Sequence, residues 1–106
     1  MELVGTAASR GIATGVALIV HDPLEIDIDA VPDNIILVIK FSTPLFFELF
    51  LKSKAIVTEV GGITCHAASL ARDLSIPCVT AVANIFECVE NGSTITVDGS
   101  QGIIYV

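Results

Sequence analysis

His66 closes a segment whose residue types could do nucleophilic chemistry. In Thr58-Glu59-Val60-Gly61-Gly62-Ile63-Thr64-Cys65-His66-Ala67-Ala68 an apolar strand runs into a glycine pair, and a helix then starts with an imidazole in its first turn. The first N–H groups of a helix have no partner inside it, and the macrodipole places partial positive charge there. An anion at that end is stabilised by roughly 0.3–1 kcal/mol. A phosphoryl group carried on the ring of His66 would sit in that field, and the same field favours a neutral, nucleophilic ring. Gly61 and Gly62 allow backbone conformations closed to other residues and let a bulky phosphate donor approach. Thr64 reads as the N-cap, its hydroxyl directed to the N–H of Ala67 or to a phosphate oxygen. Ala67, Ala68 and Ala71 keep the helix slim beside the ring.

The plain reading stands beside this one, because a first-turn histidine is often only a surface residue and Gly-Gly-x-x-x-His is a weak signal by itself. Cys65 is the sharper rival: a helix N-terminus also activates a thiol, and from the residues alone the two nucleophiles are nearly equal. Cys65, His66, Cys78, Cys88 and His21 show none of the paired spacing of a zinc site, so no metal is expected. Cys78 and Cys88 read as small core residues. Arg72 lies roughly 240° around and 9 Å along the helix from His66, so it reads first as a cation at the helix C-terminus and not as a ligand of a phosphate on that ring, with a partner's bound phosphate as the other group it could meet.

The elements that must hold this segment can be placed from pattern. Leu3 to Ala8, Gly15 to Val20 and Asn34 to Ile39 read as strands, the last an unbroken apolar run of the kind buried on both faces. Alternation in Glu25-Ile26-Asp27-Ile28-Asp29 predicts a half-exposed edge strand. Ser42-Thr43-Pro44 supplies a cap and a first-turn proline for a helix from Pro44 to Lys52. Leu45, Phe46, Phe47, Leu49, Phe50 and Leu51 cover about two-thirds of its circumference, more than one packed face needs. Either that helix is deeply buried or it offers a contact surface to a partner domain or a second copy, making a homo-oligomer. Ala55 to Thr58 is a buried strand, the helix of His66 runs from Thr64 to Leu74, and Cys78 to Val82 resumes strand. Thr94 to Val97 and Gly102 to Val106 form a hairpin across Asp98-Gly99-Ser100-Gln101. The order predicts one layered α/β or α+β domain over residues 1–106.

Composition narrows the functions. Five Lys and Arg against 12 Asp and Glu give a net charge of −7, leaving no basic surface to track a nucleic-acid backbone. A hydrophobic fraction of 53% raises the question of a membrane span. The densest stretch, Leu45 to Leu51, is interrupted by Glu48 and far shorter than the ~20 residues a span requires. Met1-Glu2-Leu3-Val4 has no basic n-region, and three cysteines without Cys-x-x-Cys pairing suit a reducing compartment. A cytoplasmic location is expected.

The run from Ala55 to Val79, with Ser42-Thr43-Pro44, Gly5 to Gly15, Gly92, Thr96-Val97-Asp98-Gly99 and Gly102, resembles the mobile phosphohistidine domain of the PEP-utilising enzymes over nearly the entire chain. These include phosphoenolpyruvate synthase, pyruvate phosphate dikinase and the first enzyme of the sugar phosphotransferase system. Thr64-Cys65-His66 looks more like the synthase branch. The resemblance implies a swivelling β/β/α fold of layered sheets with two main helices, and phosphorylation of His66. It implies phosphoryl exchange with an ATP-binding domain or subunit and with a barrel domain that handles PEP or pyruvate. ATP and Mg²⁺ would belong to those partners and no cofactor to this domain. Thr64 matches a regulatory phosphorylation site of some relatives. The chain departs from the family pattern at Arg10, where proline is common, at Ser75, where glycine usually ends the helix, and at Ala81-Val82, where Val-Gly is common. With no nucleotide-binding or barrel segment present, the chain is a carrier that serves active sites elsewhere, or a docking module that has lost phosphotransfer.

Overall fold

The computed structural model describes all residues, 1–106, as eight strands and three short helices. The strands are β1 (Glu2–Val4), β2 (Thr6–Ser9), β3 (Ile12–Ile19), β4 (Ile35–Ile39), β5 (Ser53–Thr58), β6 (Cys78–Thr80), β7 (Thr94–Asp98) and β8 (Ile103–Tyr105). The helices are α1 (Phe47–Leu51), α2 (His66–Asp73) and α3 (Ile85–Cys88). All eight strands join in the order β1-β8-β7-β3-β4-β5-β6-β2. The two ends of that order, β1 and β2, are consecutive in the chain and separated only by Gly5, so the sheet curls back on itself. The Gly5 N–H donates to the Gly102 carbonyl oxygen at 2.9 Å across this closure. A side chain at Gly5 would meet the Thr80 carbonyl oxygen at 2.5 Å, so glycine is needed at the point where the single run expected over Leu3 to Ala8 divides into two strands.

The unbroken apolar run became β4, with all five residues buried. Period-two alternation divides them between two cores. Ile35, Leu37 and Ile39 face the helices and pack with Ile56, Phe50, Ala67, Ala68 and Ala71. Ile36 and Val38 face the inside of the curled sheet with Leu3, Val57, Val79, Val97 and Ile104. Fully burying each of these aliphatic side chains is worth ~1.5–3 kcal/mol, so the two faces of one strand tie both cores together. The mixed sheet with its few helices matches the layered β/β/α expectation.

Several local expectations are corrected. Glu25 to Asp29 is no strand: Pro23–Glu25 and Ile28–Ala30 form two 3-10 turns. The Asp22 carboxylate accepts from the Leu24 N–H at 2.9 Å and that of Asp27 from the Asp29 N–H at 3.1 Å. Aspartates that bind the backbone two residues on remove the donors a strand ladder needs. The helix of Pro44 to Lys52 divides into a 3-10 turn over Pro44–Phe46 and then α1; Thr43 holds the N-cap position of the turn, but neither its hydroxyl nor that of Ser42 makes a cap bond. Its apolar excess is half buried: Phe46, Leu49 and Phe50 enter the core, while Leu45, Phe47 and Leu51 remain 62%, 46% and 57% exposed. Complete burial of this helix is thus not what the fold shows. The segment expected to continue as strand after Thr80 turns away at Ala81, with φ of 59°, and α3 follows. Ser75 ends α2 at φ of 58°, the conformation glycine would hold more cheaply. No helix is long and apolar enough to cross a membrane.

Candidate functional site

Three parallel strands, β4, β5 and β6, end together and release the loops that build the site. The ladder between β4 and β5 persists past both strands, through Glu59 N–H to the Ile39 carbonyl oxygen and Val60 N–H to that of Lys40, each 3.0 Å. This brings the Phe41-Ser42-Thr43 loop beside the Val60-Gly61-Gly62 loop. The Thr58 hydroxyl donates to the Val60 carbonyl oxygen at 2.7 Å and pins the second loop to its strand. Gly61 then takes φ of 124°, which only glycine adopts without strain, and reverses the chain toward α2. Gly62 does not take a positive φ, and a Cβ there would meet nothing within 4 Å. Of the glycine pair, Gly61 thus answers the backbone and Gly62 keeps open space.

His66 is the first residue of α2, and Cys65, not Thr64, is the N-cap. Thr64 lies exposed in the preceding turn, and no side chain caps the helix. The reason is local: the Cys65 N–H closes a turn onto the Gly62 carbonyl oxygen at 3.3 Å, which carries Thr64 outside the helix. The N–H groups of His66, Ala67 and Ala68 therefore meet no acceptor in the chain. The ring of His66 is exposed, and its Nδ1 lies 2.8 Å from the Ser42 hydroxyl, 24 residues earlier. Phe50 packs obliquely on the ring, centroids 6.5 Å apart. Ser42, read from sequence as a helix cap, is thus the histidine's partner. Phe41, Val60 and Ile63 stand exposed on the loops around it.

The other candidates lie apart from this arrangement. Cys65 is partly buried against the helix-side core, and a Cβ on Gly61 would come within 3.0 Å of its sulfur. Arg72 donates from Nη1 to the Ala8 carbonyl oxygen at 2.8 Å, tying α2 to β2 rather than facing the ring. Cys88 packs against the inner core, and no three His, Cys, Asp or Glu side chains are grouped to hold a metal. Cys78 is buried, and that burial, with Cys65 nearby, pushes its thiol up from 9.0 to about 12. Because the folded value lies above the unfolded one, the contribution of the neutral thiol to stability is complete below pH 9 and is lost as pH rises toward 12. At ~1.4 kcal/mol per unit, the stability gap between wild type and Cys78→Ala is expected to shrink by about 2 kcal/mol between pH 8 and pH 10.5. Denaturant unfolding at the two values measures it; a constant gap would show that the thiol ionises freely in the fold.

The model of the family described as PEP-utilising enzyme, mobile domain, matches residues 31–102, which hold β4 to β7 and the whole His66 loop. The chain belongs to the PEP-utilising enzyme mobile domain family. Among relatives of this mobile domain, an uncharacterised phosphotransferase of Bacillus subtilis (strain 168), YvkC, is 46% identical over 99% of this chain and 12% of its own length. The phosphoenolpyruvate synthase of Pyrococcus furiosus is 38% identical over 97% of this chain and 12% of its own. A solution structure of Enzyme I superposes with a TM-score of 0.65 at 29% identity, over 76% of this chain and 34% of that one. The chain thus spans about an eighth of the length of those curated relatives, and the mobile domain occurs in them as one part of a longer protein.

Proposed function

We propose that this mobile domain carries a phosphoryl group on Nε2 of His66. The observation that carries the reading is the Ser42–His66 contact: with Nδ1 held at 2.8 Å by a hydroxyl, Nε2 is the ring nitrogen left for chemistry. For Nε2 to attack, the ring must carry its proton on Nδ1, where the Ser42 oxygen can accept it, and leave the lone pair of Nε2 for the donor. Attack on a donor phosphate forms a P–N bond and breaks the donor's P–O bond, whose electron pair leaves with the donor. Transfer onward reverses the roles: an acceptor oxygen attacks phosphorus and the P–N bond breaks, returning the pair to Nε2. The unpartnered N–H groups at the start of α2 favour the added negative charge. Exposed Phe41, Val60 and Ile63 suit a partner that closes over the ring and excludes water.

The donor in this reading is ATP, with Mg²⁺, on an ATP-binding domain or subunit, and the acceptor is pyruvate in a barrel domain or subunit. A histidine so placed is a substrate for both sites. Cys65 is less suited, since its sulfur is tucked against the glycine turn while the imidazole stands free. The test is to incubate the chain with an ATP-binding partner of the family and ATP labelled at the β-phosphate. The expected product is an acid-labile, base-stable phosphoramidate on His66, assigned to Nε2 by ³¹P–¹H correlation. Ser42→Ala is expected to slow labelling about tenfold, the worth of one hydrogen bond, and Ser42→Thr to restore it. Label found on Nδ1, or a Ser42→Ala chain labelled at the wild-type rate, would remove Ser42 from the scheme. Failure of every ATP- or PEP-binding partner to label the chain would leave a docking module without phosphotransfer.

A further inference from the structure

Away from His66, the few cations of this acidic chain are gathered unevenly. There are five Lys and Arg against 12 Asp and Glu. Two of those five, Arg10 and Arg72, line one open cleft of about 460 Å³ with Ala8, Ser9 and Ser75. No carboxylate lines it, and neither guanidinium forms an ion pair. Arg72 is steadied by one Nη1 bond to the Ala8 carbonyl oxygen, which leaves its other donors for a ligand. Arg10 is exposed on the turn between β2 and β3. The lining also includes two serines, the buried Ser9 at the end of β2 and the exposed Ser75 just past α2. Ser75 holds a left-handed φ of 58° that glycine would hold more cheaply, and it brings a hydroxyl side chain to the lining where glycine would bring none.

The chemistry of that lining is selective. A guanidinium donates and never accepts, and its planar fork matches two oxygens of one oxyanion. With a single apolar residue in the wall, the cleft has little to offer an apolar ligand, while its volume falls in the small-molecule range of ~300–1,000 Å³. The C-terminal end of α2 opposes an anion with about half a negative charge, and two full guanidinium charges exceed it. We infer that the cleft binds a tetrahedral oxyanion, either free phosphate or the phosphate group of a small ester. It is separate from the phosphoryl-carrying ring, since Arg72 lies about 9 Å along α2 and on another side of it.

Amide chemical shifts of the full chain are followed during titration with inorganic phosphate, glycerol 3-phosphate and acetate at fixed ionic strength. Saturable shifts at Ser9, Arg10 and Ser75 are expected with both phosphates, and at least tenfold weaker binding with acetate. The ratio of the two phosphate affinities tells ester from free ion, and either ranking fits the cleft. Arg10→Ala is expected to weaken phosphate binding about tenfold with the spectrum otherwise intact, and His66→Ala to leave it unchanged. Shifts that do not saturate, acetate binding as tight as phosphate, binding indifferent to Arg10→Ala, or shifts confined to residues 61–68 would each overturn the inference. Because His66→Ala is silent here and decisive for phosphotransfer, failure of one reading is distinguishable from failure of the other.

Discussion

The His66→Ala variant is expected to take up no acid-labile phosphate, a loss of at least about a thousandfold, because the atom that forms the P–N bond is gone. The fold should be untouched. The ring is exposed and makes one side-chain hydrogen bond, to Ser42 at the surface, and surface substitutions of this kind stay within ~0.5 kcal/mol. Two companion variants give the result its meaning. Cys65→Ala should keep labelling, since the thiol takes no part in the proposed transfer, and a loss there equal to that of His66→Ala would make the thiol the carrier. His21→Ala should also keep it: that ring lies against Phe86 of α3 with centroids 4.8 Å apart, and no side-chain hydrogen bond or glycine loop holds it as Ser42 and Gly61 hold His66. Persistent label in His66→Ala, with acid lability retained, would end the proposal whatever the family membership.

The parts of this site that could be read from the letters are those governed by neighbours in sequence. Gly61 needs a positive φ and α2 begins within a few residues of it, so the imidazole's place at the positive end of the helix follows from local rules. The buried run of β4 and the hairpin of β7 and β8 are legible for the same reason. Ser42 is different. Its role depends on two parallel strands, β4 and β5, ending level and carrying their hydrogen bonding two residues further. Nothing near Ser42 distinguishes a hydroxyl that caps a helix from one that meets an imidazole 24 residues away. The available signal was the pair of apolar runs themselves: if Ile35–Ile39 and Ser53–Thr58 pair in parallel, the residues just past each must meet.

Local rules also misled where two of them competed. In Glu25 to Asp29 the alternation of acidic and apolar residues obeys the strand period, yet the aspartate side chains capture nearby N–H groups and two 3-10 turns result. At Thr64 the preference of threonine for the N-cap lost to the turn closed by Cys65 and Gly62. The closure of the sheet at Gly5 was beyond any window, because its cause is the approach of the β6 end to a residue far away in sequence.

The largest effect on stability is expected at Gly99, at the hairpin turn far from the histidine in sequence. A Cβ placed there would overlap the Ser9 carbonyl oxygen and lie 2.9 Å from the Cys78 backbone nitrogen. Both are backbone atoms of paired strands, since Ser9 of β2 opposes Cys78 of β6, so no side chain can rotate away to make room. The turn is fixed from the other side as well. The buried Asp98 carboxylate accepts from the Ser100 and Gln101 N–H groups at 3.0 Å and from the Gln101 side-chain amide at 2.8 Å, and the Gly99 N–H donates to the Gly11 carbonyl oxygen at 2.8 Å. Gly99→Ala must therefore part β2 from the hairpin or break the Asp98 turn, at a cost of about 3 kcal/mol or more. For a domain of this size that lowers Tm by roughly 12 °C or more. Gly62→Ala is the matched control, with nothing within 4 Å and no positive φ, and should stay within about 1 kcal/mol of wild type. Thermal and denaturant unfolding of the two variants decide the point. A Gly99→Ala chain as stable as Gly62→Ala would mean that β2 does not lie against the hairpin turn, and with it would go the closure of the sheet that aligns the ends of β4, β5 and β6 beneath the histidine.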